Sequence, residues 1–81
     1  MIAMITVKLF GITREIVGAP VLTFEDIPKS VGQLVISLKE TYPKMAELNS
    51  LLVAVNNEYA SNDQSIQEND EIALIPPVSG G

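Results

Sequence analysis

The C-terminal segment Pro76-Pro77-Val78-Ser79-Gly80-Gly81 is the stretch whose residue types and order point to chemistry. Two consecutive prolines cannot continue a strand and favour a stiff, extended exit from the folded body. Six extended residues reach about 20 Å, far enough to enter another protein's active site. The two glycines carry no side chains, so they can follow a narrow channel and bend within it. The distinctive group is then the α-carboxylate of Gly81, which has a reference pKa of about 3.5 and is ionised and unreactive toward nucleophiles at neutral pH. Converting it to an acyl adenylate with ATP would make it an acyl donor open to attack by an amine, a thiol or a sulfide donor. The chain has no cysteine. Covalent sulfur is therefore expected to be held as a terminal thiocarboxylate.

Other routes to chemistry are poorly served. Cysteine and histidine are both absent, which excludes disulfides, thiolate and imidazole metal sites, cysteine nucleophiles and histidine-based triads. Gly11, Gly18 and Gly32 fit neither a phosphate-binding loop nor a dinucleotide fingerprint. Glu68, Asp70 and Glu71 lack the spacing and the glycine of a calcium loop and read as a solvated turn. No lysine, tyrosine or serine is marked as activated. The chain is poorly equipped as an autonomous enzyme, and no bound cofactor or metal is expected.

Composition agrees with a small folded domain. The 81 residues are 47% hydrophobic and 19% charged, too apolar for intrinsic disorder and enough for one modest core. Ten acidic against five basic residues give a net charge of −5. Lys8, Arg14, Lys29, Lys39 and Lys44 are scattered, so nucleic acid is disfavoured and a basic protein surface is the better electrostatic match. No apolar run approaches the length of a membrane span and no signal peptide opens the chain, so the cytoplasm is the expected compartment.

The elements that must carry the tail follow from periodicity. Met1–Ala3 read as a short extension ahead of a strand at Met4–Phe10, in which Ile5, Val7 and Leu9 alternate with Thr6, Lys8 and an outward Phe10. Thr13–Val17 is expected to form a short helical turn, with Ile12 and Ile16 toward the core and Gly18 as its stop. A second strand covers Val21–Glu25, with Leu22 and Phe24 on one face. Ser30 and Gln33 form a capping box for an amphipathic helix whose stripe is Val31, Leu34, Val35, Leu38 and Tyr42, stopped by Pro43. Met45 and Leu48 should tack an irregular connection onto the core. Leu51–Val55 is a third strand, Asn56-Asn57 a turn before a short Glu58–Ala60 segment, and Ile66 an apolar anchor in a polar loop.

A last strand, Glu71–Ile75, has Ile72 and Leu74 inward and Ala73 and Ile75 outward. This order suggests an α+β roll with one main helix packed across a mixed sheet. The expected division is a domain over 1–75 and an extended tail over 76–81. If the first and last strands are neighbours, Phe10 and Ile75 adjoin on the exposed face, and with Tyr59 they form a candidate docking surface.

On these residues the chain resembles the small, sulfur-carrying subunits of molybdopterin synthase, which are ubiquitin-like β-grasp proteins with a flexible Gly-Gly tail. The resemblance spans the opening strand, Arg14-Glu15-Ile16-Val17-Gly18, the helix, Leu51 to Asn56, the turn Asn69-Asp70-Glu71, and Ile75-Pro76-Pro77-Val78-Ser79-Gly80-Gly81. It implies that an E1-like enzyme adenylates Gly81 with ATP and magnesium and that a persulfide sulfurtransferase supplies the sulfur. The tail, Pro76 to Gly80, would then enter the active site of the large subunit, where the Gly81 thiocarboxylate gives its sulfur to precursor Z (cyclic pyranopterin monophosphate) to build the dithiolene. It also implies a heterotetramer whose catalytic side chains belong to the large subunit. A sulfur carrier for thiazole synthesis, tRNA thiolation or protein conjugation and a non-catalytic β-grasp binding module are the alternatives. The Pro-Pro-Val ending argues against other carriers, and tolerance of losing Gly81 would mark the module.

Overall fold

The computed structural model describes residues 4–48 and 50–77 of the chain. Five strands form one mixed sheet: β1 (Ile5–Leu9), β2 (Val21–Phe24), β3 (Leu52–Val55), β4 (Glu58–Tyr59) and β5 (Glu71–Ile75), in the order β2-β1-β5-β3-β4. The first and last strands are central neighbours and run parallel, with Val7 opposite Ile72 and Leu9 opposite Leu74. The other pairings are antiparallel. Two helices complete the fold, α1 (Gly11–Val17) and α2 (Val31–Thr41), followed by a 3₁₀ turn at Pro43–Glu47. This is the α+β roll read from the sequence.

Period-2 alternation decides what each strand buries. Ile5, Val7, Leu9, Ile72 and Leu74 are almost wholly buried, and Val53 and Val55 join them on the inner face. The α2 stripe closes this layer: Val31, Leu34 and Leu38 are buried, and Val35 and Tyr42 pack partly against the same core. Each large apolar side chain fully buried here contributes about 1.5–3 kcal/mol of transfer free energy. Ser30 caps α2, its Oγ accepting from the Gln33 N–H at 3.3 Å. The connection after Pro43 is more regular than expected, because the 3₁₀ turn presents Met45, fully buried, to the core. Ile66 is buried as the anchor of the loop before β5.

The β3–β4 hairpin turns on Asn56 and Asn57, both left-handed at φ 52° and 72°. Two such residues make the tight turn whose twist matches antiparallel strands, and asparagine tolerates that conformation best after glycine. The Asn56 side chain also ties this turn to β5. Its Oδ1 accepts from the Glu71 N–H and its Nδ2 donates to Asp70 Oδ1, both at 3.0 Å. Asp70 Oδ2 accepts from the Gln67 N–H at 2.8 Å. The Asp70 carboxylate is therefore used to hold its own loop.

Two local expectations need correction in the segment after β1. The helix begins at Gly11, two residues before the expected start, and Ile12 is 41% exposed instead of facing the core. Thr13 is fully buried in its place. Its hydroxyl accepts from the Phe10 N–H at 3.0 Å and donates to the Phe10 carbonyl at 2.6 Å. This reciprocal cap rotates the helix so that Ile16 and Val17 meet the core and Ile12 does not. Gly18 ends the helix in the left-handed conformation, φ 83°, its N–H donating to the Arg14 carbonyl. Among the described residues, no helix is long and apolar enough to cross a membrane.

Candidate functional site

Val78, Ser79, Gly80 and Gly81, the expected reactive end and most of its tail, lie outside the described residues. What the structure describes is the root of that tail and the surface around it. Strand β5 ends at Ile75, and Pro76-Pro77 follow directly. The root is seated against the start of α1. Gly11 has φ 54°, and a Cβ built there would stand 3.1 Å from Pro76 Cγ. Glycine therefore serves both the positive φ and the close approach of the proline ring.

Phe10 sits between β1 and α1 with extended backbone angles, φ −132° and ψ 153°. Its side chain thus continues the outward series Thr6, Lys8, Phe10 and is 50% exposed. The Thr13 cap holds both polar groups of the Phe10 backbone, so the ring's point of departure is fixed by a buried hydroxyl. Ile75 lies on the same face at the next register position beyond Leu9 opposite Leu74, and it is half-buried. The structure therefore brings Phe10 and Ile75 together at the tail root.

Tyr59 belongs to the same face but to the next row. It is opposite Ala54, which is opposite Ala73, which is opposite Lys8, and Lys8 is opposite Val21. Tyr59 is 72% exposed.

Two members of this face were not singled out from the sequence. Leu52 lies directly opposite Ile75 and is 52% exposed, and Val21 is 42% exposed. The row at the tail root is thus Phe10, Ile75 and Leu52, and the row below it carries Val21, Ala73, Ala54 and Tyr59 around Lys8. Alternation within β2 and β3 held the signal for both residues, but the unbroken apolar run Leu51–Val55 concealed which set faces outward. The five exposed or half-buried large side chains across these rows make a continuous apolar surface, the kind that marks an interaction site.

The charged pair that follows this row on α1 also has a place. Arg14 and Glu15 of α1, with Gly11 and Ile12, face Ile75, Pro76 and Pro77 across an open concavity of about 820 Å³. Arg14 and Glu15 therefore flank the tail where it leaves the body, a position that sequence reading left without a role. At the opposite end of the face, Lys8 Nζ pairs with Glu71 Oε1 at 2.7 Å, both side chains about half exposed.

Comparison with known proteins adds a family to this geometry. The model of the ThiS family matches residues 7–81. The molybdopterin synthase sulfur carrier subunit of Dictyostelium discoideum is 43% identical over 81 residues, covering 93% of this chain and 93% of that protein. The Arabidopsis thaliana protein of the same name is 39% identical, covering 95% of this chain and 82% of the relative. Among solved structures, SAMP1 from Haloferax volcanii superposes with a TM-score of 0.79 at 27% identity, covering 96% of this chain and 99% of that one. The expected ubiquitin-like β-grasp fold is the fold found.

Proposed function

This chain belongs to the ThiS family of ubiquitin-like β-grasp proteins, and on that premise we propose that it is the small, sulfur-carrier subunit of a molybdopterin synthase. Full-length similarity to relatives that bear that name supports the assignment. The observation that carries the mechanism is the layout of one face: an apolar surface runs directly into the root of a Pro-Pro-Val-Ser-Gly-Gly tail. A carrier needs both, one to dock and one to reach.

The chemistry is that of the terminal carboxylate. An E1-like enzyme, using ATP and magnesium, joins the Gly81 carboxylate to AMP with loss of pyrophosphate. The outer sulfur of a sulfurtransferase persulfide then displaces AMP to form an acyl disulfide, and a thiol cleaves its S–S bond, leaving the Gly81 thiocarboxylate and a disulfide on the sulfurtransferase side. Docked through Phe10, Leu52, Ile75 and Tyr59, the carrier places Pro76 to Gly80 in the large subunit's active site. There Gly81 gives its sulfur to precursor Z. In each transfer the thiocarboxylate sulfur bonds to the pterin precursor and water hydrolyses the acyl–sulfur bond; two such transfers build the dithiolene of molybdopterin, and the released carboxylate is recharged.

The residues of this chain supply position. Pro76 and Pro77 prevent the sheet from continuing, the Gly11 contact sets the angle of departure, and the side-chain-free glycines permit threading. The catalytic side chains belong to the large subunit, which explains why catalytic motifs are absent here.

Intact mass spectrometry tests the reading. After incubation with ATP, magnesium, the E1-like enzyme and a persulfide donor, the untagged chain should gain the mass difference of one oxygen replaced by sulfur, localised to Gly81. The Gly81-deleted chain should gain nothing. Adding the large subunit and precursor Z should return the carrier to its starting mass and yield molybdopterin. A carrier that stays uncharged beside an activating enzyme proven on another carrier would overturn the assignment.

A further inference from the structure

Strand β1 runs out at a carbonyl whose ladder partner is a proline. Leu9 N–H donates to the Pro20 carbonyl at 2.9 Å, on the β2 side, and successive peptide groups of a strand point to opposite edges. The N–H and C=O of Phe10 therefore point toward β5. Leu9 lies opposite Leu74, which makes Ile75 the residue opposite Phe10. In a parallel pair a carbonyl accepts from the N–H one position beyond the residue opposite it. The donor due at Phe10 is thus residue 76, and Pro76 has no N–H. The close approach of the Pro76 ring to Gly11 places residue 76 beside this end of β1.

Thr13 supplies what the proline withholds. Its N–H donates to the Phe10 carbonyl at 3.1 Å, and its hydroxyl donates to the same oxygen at 2.6 Å. A carbonyl oxygen has two lone pairs, so this acceptor is filled from within the first turn of α1. The same hydroxyl accepts from the Phe10 N–H at 3.0 Å. Thr13 is fully buried, so water does not compete for these bonds. A proline alone would end the ladder and leave the Phe10 carbonyl short of a donor, a cost that folded chains avoid. Here the missing donor and the filled acceptor stand at one point.

We propose that Thr13 is a positioning residue for the tail and that, with Pro76, it forms a double lock on the point where the tail leaves the sheet. Pro76 offers no donor to β1, and Thr13 leaves no acceptor for one, so either residue alone keeps position 76 out of the ladder. On the carrier reading above, which this proposal rests on, that point sets the reach of the terminal carboxylate. Were residue 76 to pair with Phe10, the free tail would begin at Pro77 and lose about 3.3 Å of its span. A misplacement of about 1 Å can already cost about a hundredfold in rate, so Gly81 would fall short of the acceptor. Thr13 touches neither the sulfur nor the partner and acts through the Phe10 carbonyl.

Paired substitutions in the full-length chain test the lock. Pro76→Ala restores an amide at position 76, and Thr13→Val removes the hydroxyl while keeping the shape of the side chain. By NMR hydrogen exchange, the position-76 amide of Pro76→Ala should exchange like an exposed one, and in Pro76→Ala/Thr13→Val it should be protected about tenfold or more. Pro76→Ala/Thr13→Ser keeps a hydroxyl and should behave like Pro76→Ala. Single-turnover sulfur transfer from each thiocarboxylated chain, at saturating large subunit, gives the functional readout. Either single substitution should stay within about twofold of wild type, and Pro76→Ala/Thr13→Val should fall about tenfold. Circular dichroism melts establish that each chain is folded, and Thr13→Ala replaces Thr13→Val if that chain melts below the assay temperature. A position-76 amide protected in Pro76→Ala, one left exposed in Pro76→Ala/Thr13→Val, or a double variant that transfers at the wild-type rate overturns the proposal and leaves the carrier reading standing. A wild-type thiocarboxylated chain that transfers no sulfur overturns the carrier reading itself, and the exchange measurement still decides the lock.

Discussion

The two faces of the sheet are made by the same strands and have opposite fates. On the inner face Ile5, Val7, Leu9, Ile72 and Leu74 meet α2 and lose almost all contact with water. On the outer face Phe10, Val21, Leu52 and Tyr59 carry side chains nearly as apolar, yet each is more than 40% exposed. A chain this small has little core to spare, so leaving apolar area uncovered forgoes stabilisation that a second helix layer could have provided. The contrast separates two equilibria: the inner face drives folding, and the outer face is the one we propose for association.

The sharpest way to break that comparison is Phe10→Arg. It should weaken binding of the large subunit by about a hundredfold or more, since an arginine would be buried where an aromatic ring packs. Because Phe10 is half exposed, the melting curve by circular dichroism should shift by no more than about 1 kcal/mol in stability. An unfolded Phe10→Arg chain, or one that binds normally, would merge the two faces again.

The reciprocal substitution is Leu34→Ala on α2. It should cost about 2–5 kcal/mol by denaturant unfolding, because the side chain is fully buried and leaves a cavity. Below its melting temperature the variant should still bind the large subunit with nearly the wild-type affinity. The smallest expected effect is Ser30→Ala, which removes the α2 cap and should cost about 1 kcal/mol of stability with no change in binding. A binding defect in either variant would mean that α2 takes part in docking.

Much of this division was legible in the residue pattern. Alternation in β1 and β5 assigned Phe10 and Ile75 outward and Ile72 and Leu74 inward, and the stripe on α2 named its buried residues. The segment after β1 was not legible. Ile12 and Ile16 have helical spacing, but the buried Thr13 hydroxyl caps Phe10 and turns Ile12 toward the tail root. Hydrophobicity ranks isoleucine ahead of threonine for burial, and only a hydrogen-bond partner in the preceding residue reverses that order. Leu52 was hidden for a different reason, since an unbroken apolar run does not reveal which residues face the helix.

The sequence by itself determined the order of the elements, the faces that β1 and β5 bury, and a side-chain-poor Gly80-Gly81 stretch behind two prolines. These are local properties, written in the period of the apolar residues and in the types that cannot continue a strand. Tertiary structure decided adjacency. Pairing of β1 with β5, residues far apart in the chain, sets Phe10 beside Ile75, Lys8 against Glu71, and Gly11 under Pro76. Adjacency of that kind follows from strand register and from the buried layer that fixes it, and a linear pattern does not contain it.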